Sequence, residues 1–488
     1  VVKIKKESLN HNVTPLFDAL KQFKKDNVIP FDVPGHKAGK GLPEFTDYFG
    51  KRIMEVDVNS MKQLDNLANP TSVIKEAEEL MADAYNADHA FFLINGTTSG
   101  VQAMIMSSCN PGDKIILPRN AHKSAVNALI LCSAVPIYVQ ADIRNDLGIV
   151  MGVSHKEVEK AIKENPDAKA VFLLNPNYYG AVSELKEIIK IAHEHNMAVL
   201  VDEAHGAHLN FHPDFPANAT TLGADMAATS LHKTGGSLTQ SSVLLLNEGR
   251  ISKNKVKKIL NLTQSTSASY LLMSSLDVAR KNLVLNGKER FDKILKHVRY
   301  IRNELNKIDG IYAFGKEIID SNGIADFDES KLGINVAKLG LSGFEVYDIL
   351  RDDYSIQMEL ADAYNVLAII SIGDTEENLN KLLEAFKDIS KRFKGTKHII
   401  EHPVLENPEV VLSPREAFYA DKENIELDNC VNRISGESIM VYPPGIPIIT
   451  PGERITQNMI NYIKFLKTQD TVFNGAEDPD INYIKVVK

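Results

Sequence analysis

Cysteine is scarce in this sequence: Cys109, Cys132 and Cys430 are the only three, and no two stand at the spacing of a metal-binding pair. A sparse, odd count excludes a disulfide framework and points to a reducing compartment; each thiol reads as a small core residue. Basic surplus is also missing. The formal net charge is −9, so there is no broad positive footprint of the kind nucleic-acid binders carry. No long apolar run is present either. The most hydrophobic stretch, 125–139, is interrupted by Asn127, Ser133 and Pro136 and reads as a helix followed by a strand, not a membrane span. No secretory leader is recognisable, so a cytoplasmic protein is expected, and the Asn-x-Ser/Thr triplets at Asn12, Asn218 and Asn261 are chance matches. Neither a Gly-x-x-x-x-Gly-Lys-Ser/Thr loop nor a Gly-x-Gly-x-x-Gly after a strand occurs, which removes two common nucleotide signatures.

What is present is an ordinary globular balance, 44% hydrophobic and 24% charged, in a chain too long for one core. From about residue 75 to 245, short apolar runs alternate with helical patterns. The runs are 90–94, 113–117, 135–139, 170–174, 198–201, 226–230 and 242–246; helices are expected over 97–108, 124–131, 155–164 and 184–195. Continuous apolar strands separated by helices imply a mainly parallel sheet covered on both faces. A long helical region follows at 270–308, then a mixed α/β segment with a strand at 366–372 and a helix at 376–393. A break rich in Pro, Glu and Asn, 397–414, precedes a C-terminal piece.

In such a sheet the ligand site lies at the C-terminal ends of the strands, and three polar groups fall there. Asn95-Gly96-Thr97-Thr98-Ser99-Gly100 joins a strand to a helix; small residues and the free N–H groups of a helix start suit an anion such as phosphate, although Thr and Ser are also ordinary caps. Val201-Asp202-Glu203-Ala204-His205-Gly206 ends a buried strand on a carboxylate, which is costly unless it meets a cation or several donors. The protonated ring nitrogen of pyridoxal 5′-phosphate (PLP) is such a partner; a helix cap or a structural ion pair is the plainer alternative, and Glu203 reads as a structural neighbour. Ser230-Leu231-His232-Lys233-Thr234 places a lysine just past the next strand. Partial desolvation there frees an amine for imine formation; alone, such a lysine is more often a solvated end-of-strand charge. The order of the three signals is what favours chemistry. His205 and His208 with Asp202 can be drawn as metal ligands, but no suitable geometry is evident and no metal is expected.

With these segments the chain resembles the fold-type I, aspartate-aminotransferase-like PLP enzymes, and more specifically the bacterial Orn/Lys/Arg decarboxylase family. Three further segments carry the closer resemblance: Asp32-Val33-Pro34-Gly35-His36-Lys37, Pro118-Arg119-Asn120-Ala121-His122-Lys123-Ser124, and Tyr442-Pro443-Pro444-Gly445-Ile446-Pro447. The resemblance implies an α/β fold with a mainly parallel seven-stranded sheet, a smaller α/β domain and a C-terminal domain. It divides the chain into a segment lining the site (1–74), a PLP-binding large domain (75–268), a linker helix with the small domain (269–396) and the C-terminal domain (397–488). It implies that Lys233 holds PLP as a Schiff base, Asp202 pairs with the pyridine nitrogen, Thr97, Thr98 and Ser99 bind the phosphate, His122 stacks on the ring, and Ser230, His232 and His205 complete the cofactor contacts. Thr266 or Ser267 resembles the hydroxyl segment that reaches the phosphate of a neighbouring subunit, which implies a homodimer or higher even oligomer with shared sites. The amino-terminal regulator-like domain of larger members is not matched, since Pro34-Gly35-His36-Lys37 comes almost at once, so the likeness is to the short, arginine decarboxylase-like form; position 205 is also His where the large forms place a bulkier aromatic.

The implied reaction is α-decarboxylation of a basic L-amino acid, arginine to agmatine in polyamine biosynthesis first, with lysine or ornithine as alternatives. Lys233 or His232 would return a proton to Cα. A decarboxylase should not grip the departing carboxylate tightly, which makes Arg433 a residue to locate. Glu437, just before the Pro-Pro-Gly turn, is the first candidate to read the substrate's distal cation, with His36 and Glu359 as further substrate contacts and Asp362 and Glu453 as alternatives. An aminotransferase or lyase on the same fold, or a silent PLP-binding protein, are the competing readings.

Overall fold

The computed structural model describes residues 9–319, 323–393, 408–441, 446–468 and 471–488. Seven strands form its main sheet: β1 (His89–Leu93), β2 (Lys114–Pro118), β3 (Val135–Val139), β4 (Ala170–Leu174), β5 (Ala198–Asp202), β6 (Met226–Thr229) and β7 (Ser242–Leu246), in the order β1-β7-β6-β5-β4-β2-β3. β2 runs parallel to β3 and β4, whereas β7 is antiparallel to both of its neighbours. The expected mostly parallel sheet is therefore present with one strand reversed. β4, β5, β6 and β7 are buried at every position, which is why they read as unbroken apolar runs rather than alternating ones.

The chain divides into two compact units. The first takes residues up to Ser107 together with Val201–Asp292. Its amino-terminal helix, Pro15–Lys25, is fixed by a fully buried ion pair, Arg280–Asp277 at 2.8 Å. Arg280 donates to the carbonyls of His11 and Val13 in the segment before the helix, and Asp277 accepts the Leu16 and Phe17 N–H groups, donors that a helix start leaves open. Asp65 does similar work at the helix Val73–Ala84, taking the N–H groups of Thr71, Ser72 and Ile74. The helix Gly96–Ser108 lies against β1 and β6 because Gly100 has no side chain: a Cβ there would stand 2.7 Å from Leu93 Cδ1 and 3.0 Å from Ala228 Cβ.

The second unit takes Ser108–Leu200 and residues from Lys293 onward. Helices Lys123–Cys132, His155–Glu164 and Leu185–Glu194 accompany its parallel strands. A four-stranded antiparallel sheet follows, in the order Tyr312–Ala313, Lys331–Asn335, Asn365–Ile369, Leu360–Ala361, with helices Gly343–Tyr354 and Glu376–Arg392. The C-terminal portion builds a small core from Ile439, Ile449, Ile460 and Ile463 between short strands and the helix Gln457–Lys467. The break at 397–407 and the Pro-Pro-Gly residues 442–445 lie outside the described residues. Among the described residues no helix is long and apolar enough to cross a membrane.

Candidate active site

The first unit brings together most of the polar groups expected at strand ends. Asp202 closes β5 and is 3% exposed. Burial pushes its carboxyl up to about 6; the Ala204 N–H, 3.1 Å from Oδ1, and the Lys233 charge act in the opposite direction. Past β6, Ser230 caps a single helical turn, Leu231–Thr234, that carries His232 and Lys233. Lys233 Nζ stands 2.8 Å from His205 Nε2, and His205 is buried. His232 Nδ1 donates to the Ser241 carbonyl at 2.9 Å; since a carbonyl only accepts, the proton sits on Nδ1. Glu203 is held by a different element, the start of the helix Ala219–Leu222. It is fully buried, its Oε1 accepts the Ala219 N–H at 2.7 Å, and burial pushes it up to about 8.

The hydroxyl loop is divided in its tasks. Thr97 is buried, and its Oγ1 is hydrogen-bonded to Ser230 Oγ and, at 3.0 Å, to Ser242 Oγ. Ser99 Oγ donates to the Gly96 carbonyl. Thr98 is exposed at the start of the helix, and Gly96, at φ +69°, leaves open space where a Cβ would stand. Ser242 is the member of this group that the sequence reading did not include. Thr266 and Ser267 are exposed, and the Ser265 hydroxyl accepts the Ser267 N–H. His36 is held at both ring nitrogens, by Asp57 at 3.1 Å and by the Gly39 N–H at 3.2 Å.

In the second unit, His122 caps the helix Lys123–Cys132, its Nδ1 accepting the Ser124 N–H. Arg119, three residues earlier, ties this loop to the C-terminal portion. Its guanidinium donates to the carbonyls of Pro447 and Ile448 at 3.0 Å and to Glu453 Oε2 at 2.8 Å, and Glu453 also takes the Thr450 N–H. The carboxylate of Glu437 is occupied by the backbone N–H groups of Glu477 and Lys485, at 2.9 and 2.8 Å. Glu359 is exposed just before the edge strand Leu360–Ala361 of the four-stranded sheet, and Arg433 pairs with Glu423 at 2.6 Å on the C-terminal sheet.

Comparison with known proteins accounts for this arrangement. The family model described as the Orn/Lys/Arg decarboxylase major domain matches residues 14–378, and that of the Orn/Lys/Arg decarboxylase C-terminal domain matches 394–482. The chain belongs to the Orn/Lys/Arg decarboxylase family. It is 43% identical over 484 residues to arginine decarboxylase of Bacillus subtilis, covering 98% of this chain and 99% of that protein. Inducible lysine decarboxylase of Escherichia coli is 24% identical, over 94% of this chain and 78% of its own. The solved lysine decarboxylase of Francisella novicida superposes with a TM-score of 0.85 at 22% identity, covering 98% of this chain and 81% of that one. The fold is thus fold-type I α/β and the chain a PLP-dependent decarboxylase.

The residues of this decarboxylase fit the cofactor its family implies. A buried carboxyl that accepts a single hydrogen bond among the described residues needs a cationic partner, and Lys233 is close enough to act on its charge. The open space at Gly96 and the unsatisfied N–H groups of the helix start provide a place for an anion. Arg119 stands in a segment the sequence singled out and Glu453 among its alternative acids, but their pairing carries no local signal, because the two are far apart in the chain.

Proposed function

We propose that this enzyme decarboxylates arginine to agmatine, feeding polyamine synthesis. The observation that carries the choice of arginine is the full-length likeness to arginine decarboxylases, at 43% identity against 24% for a lysine decarboxylase. In this reading Lys233 is the attachment residue for PLP, Asp202 holds a proton on the pyridine nitrogen, Thr98, Ser99 and the start of helix Gly96–Ser108 receive the phosphate, and His122 stacks on the ring. Bound there, PLP supplies an electron sink for the bond to the departing carboxylate. The chain's own part is electrostatic and positional. Asp202 supplies a fixed negative charge at a dry strand end, where it acts at full strength. Thr97, through Ser230 and Ser242, fixes the turn that presents Lys233. His205, 2.8 Å from Nζ, shares a proton with the lysine amine and keeps it available for return to Cα, with His232 as the second candidate donor.

The same proposal includes a cytoplasmic homodimer with shared sites. Its support is the density of exposed apolar side chains in residues 28–53 of the first unit, where Ile29, Phe31 and Tyr48 are 77%, 94% and 84% exposed and the rings of Phe45, Phe49 and Tyr48 lie against one another; a larger exposed apolar surface of this kind marks an interaction site. Thr266 and Ser267 would then face a partner's cofactor, and the division 1–74, 75–268, 269–396 and 397–488 describes segments that serve that site.

The test is to supply the holoenzyme with arginine, lysine and ornithine and to measure CO₂ and amine. Arginine should be consumed fastest, with agmatine equal to CO₂. Faster release from lysine would replace the substrate, and keto acid without CO₂ would overturn the reading altogether.

A further inference from the structure

The second unit contains a cavity of about 180 Å³, lined by Asn120, Tyr178, Tyr179, Phe344, Asp362 and Tyr462 among others. Asn120 follows the C-terminal end of β2, and the two tyrosines follow that of β4; this is the edge at which parallel sheets collect their ligands. Asp362 comes from the turn between strands Leu360–Ala361 and Asn365–Ile369, and Tyr462 from the helix Gln457–Lys467.

Asp362 is oriented but not neutralised. Its carboxylate accepts the Tyr179 hydroxyl, the Tyr364 and Asn365 N–H groups at 2.8 Å and the Asn365 side-chain amide at 3.0 Å. Every one of these donors is neutral, and no lysine or arginine among the described residues pairs with it. Burial pushes the carboxyl up, with the donors working against that. A carboxylate held in this way is completed by a cation brought from outside. The cavity's aromatic faces favour a cation as well, and its apolar walls suit methylene groups. The space holds several water-sized groups, room for a guanidinium on a short methylene stem. A planar guanidinium can satisfy a carboxylate and lie on a ring at once, which a compact ammonium does not.

We propose that this cavity binds an alkylguanidinium group, with Asp362 as its counter-charge and the tyrosine rings as its walls. The inference rests on the arginine reading above. The guanidinium is either the side chain of the amino acid being decarboxylated or that of a separately bound guanidine.

The probe is propylguanidine, which has no carboxylate to lose. With the holoenzyme, its binding is read both as a rise in melting temperature and as inhibition of CO₂ release from arginine. Asp362→Asn keeps an acceptor for Tyr179 and the turn while removing the charge; Ala361→Leu fills the cavity and leaves the Asp362 hydrogen bonds intact. Each is expected to weaken propylguanidine by at least about tenfold, as loss of a charge partner does in a desolvated site, and to raise KM for arginine by a similar factor with a smaller change in kcat. Competitive inhibition assigns the cavity to the substrate side chain; inhibition that is non-competitive yet lost in Asp362→Asn assigns it to a separate guanidine. Unaltered propylguanidine binding in both variants overturns the proposal. A wild type that binds propylguanidine but releases no CO₂ from arginine would instead overturn the substrate assignment alone.

Discussion

Asp202→Asn is predicted to make the cofactor-free protein more tolerant of alkaline pH while depriving it of its cofactor. The wild-type carboxyl is pushed up from 3.8 to about 6, chiefly by burial. The fold therefore favours the protonated form: the stabilisation from that proton is complete below the ordinary carboxylate value and is lost as pH rises through about 6. The difference of about two pH units corresponds to about 3 kcal/mol by pH 8, roughly half of it already lost by pH 5. Asn keeps an acceptor for the Ala204 N–H but brings an amide whose burial costs about 1–3 kcal/mol at any pH. The absolute difference between variant and wild type can thus take either sign, but its pH dependence cannot. From pH 5 to pH 8 the balance should move toward the variant by roughly 1–2 kcal/mol, a shift of several degrees in the apparent melting temperature of the cofactor-free proteins. On adding PLP the balance should move back toward the wild type, because only the wild type gains the pairing of a buried anion with a cation. Parallel melting-temperature profiles for the two cofactor-free proteins from pH 5 to 8 would refute the premise that Asp202 carries an uncompensated charge.

Glu203, pushed up to about 8 by burial, extends the same logic to higher pH. Its stabilisation is lost as pH rises through about 8, so the wild type should lose on the order of 1 kcal/mol between pH 7 and 9 that Glu203→Gln, which keeps an acceptor for the Ala219 N–H, retains; thermal melts across that range decide it. Arg119→Ala leaves the Glu453 side chain, 1% exposed, without its cation and should cost about 3–5 kcal/mol. Glu453→Gln preserves acceptors for Arg119 and the Thr450 N–H and should cost markedly less. Denaturant melts that rank the two variants the other way would show that the pair does not hold the C-terminal portion.

Much of this was legible in the sequence because buried parallel strands announce themselves. β3, β4 and β7 and the helix His155–Glu164 have the bounds that apolar runs and helical spacing assign to them, and Asp202 and Lys233 stood out as charges directly after such runs. What depends on partners distant in the chain was not legible. Glu437 looked available because it precedes the Pro-Pro-Gly turn, yet two backbone N–H groups from residues 40 and 48 positions away occupy it. Glu453 looked like one of several spare acids, yet its cation is 334 positions away. Nothing local distinguishes either from Asp362, whose donors are neutral and whose position lines a cavity.

Strand direction is the deeper gap, and it explains the missing hydroxyl. β7, Ser-Val-Leu-Leu-Leu, has the composition of β4, Ala-Val-Phe-Leu-Leu, and burial on both faces produces such a run whichever way the strand points. Read as parallel, β7 would put Ser242 at the edge remote from the site. Reversed, it pairs Ser242 with Leu93 at the end of β1 and Val243 with Thr229 at the end of β6. That reversal brings the first residue of one strand to the last residues of its neighbours. Ser242 Oγ is then within 3.0 Å of Thr97, which in turn holds Ser230, the cap of the turn bearing Lys233. A serine at a strand's start thereby supports a site built from strand ends, and sequence pattern alone has no means of assigning it there.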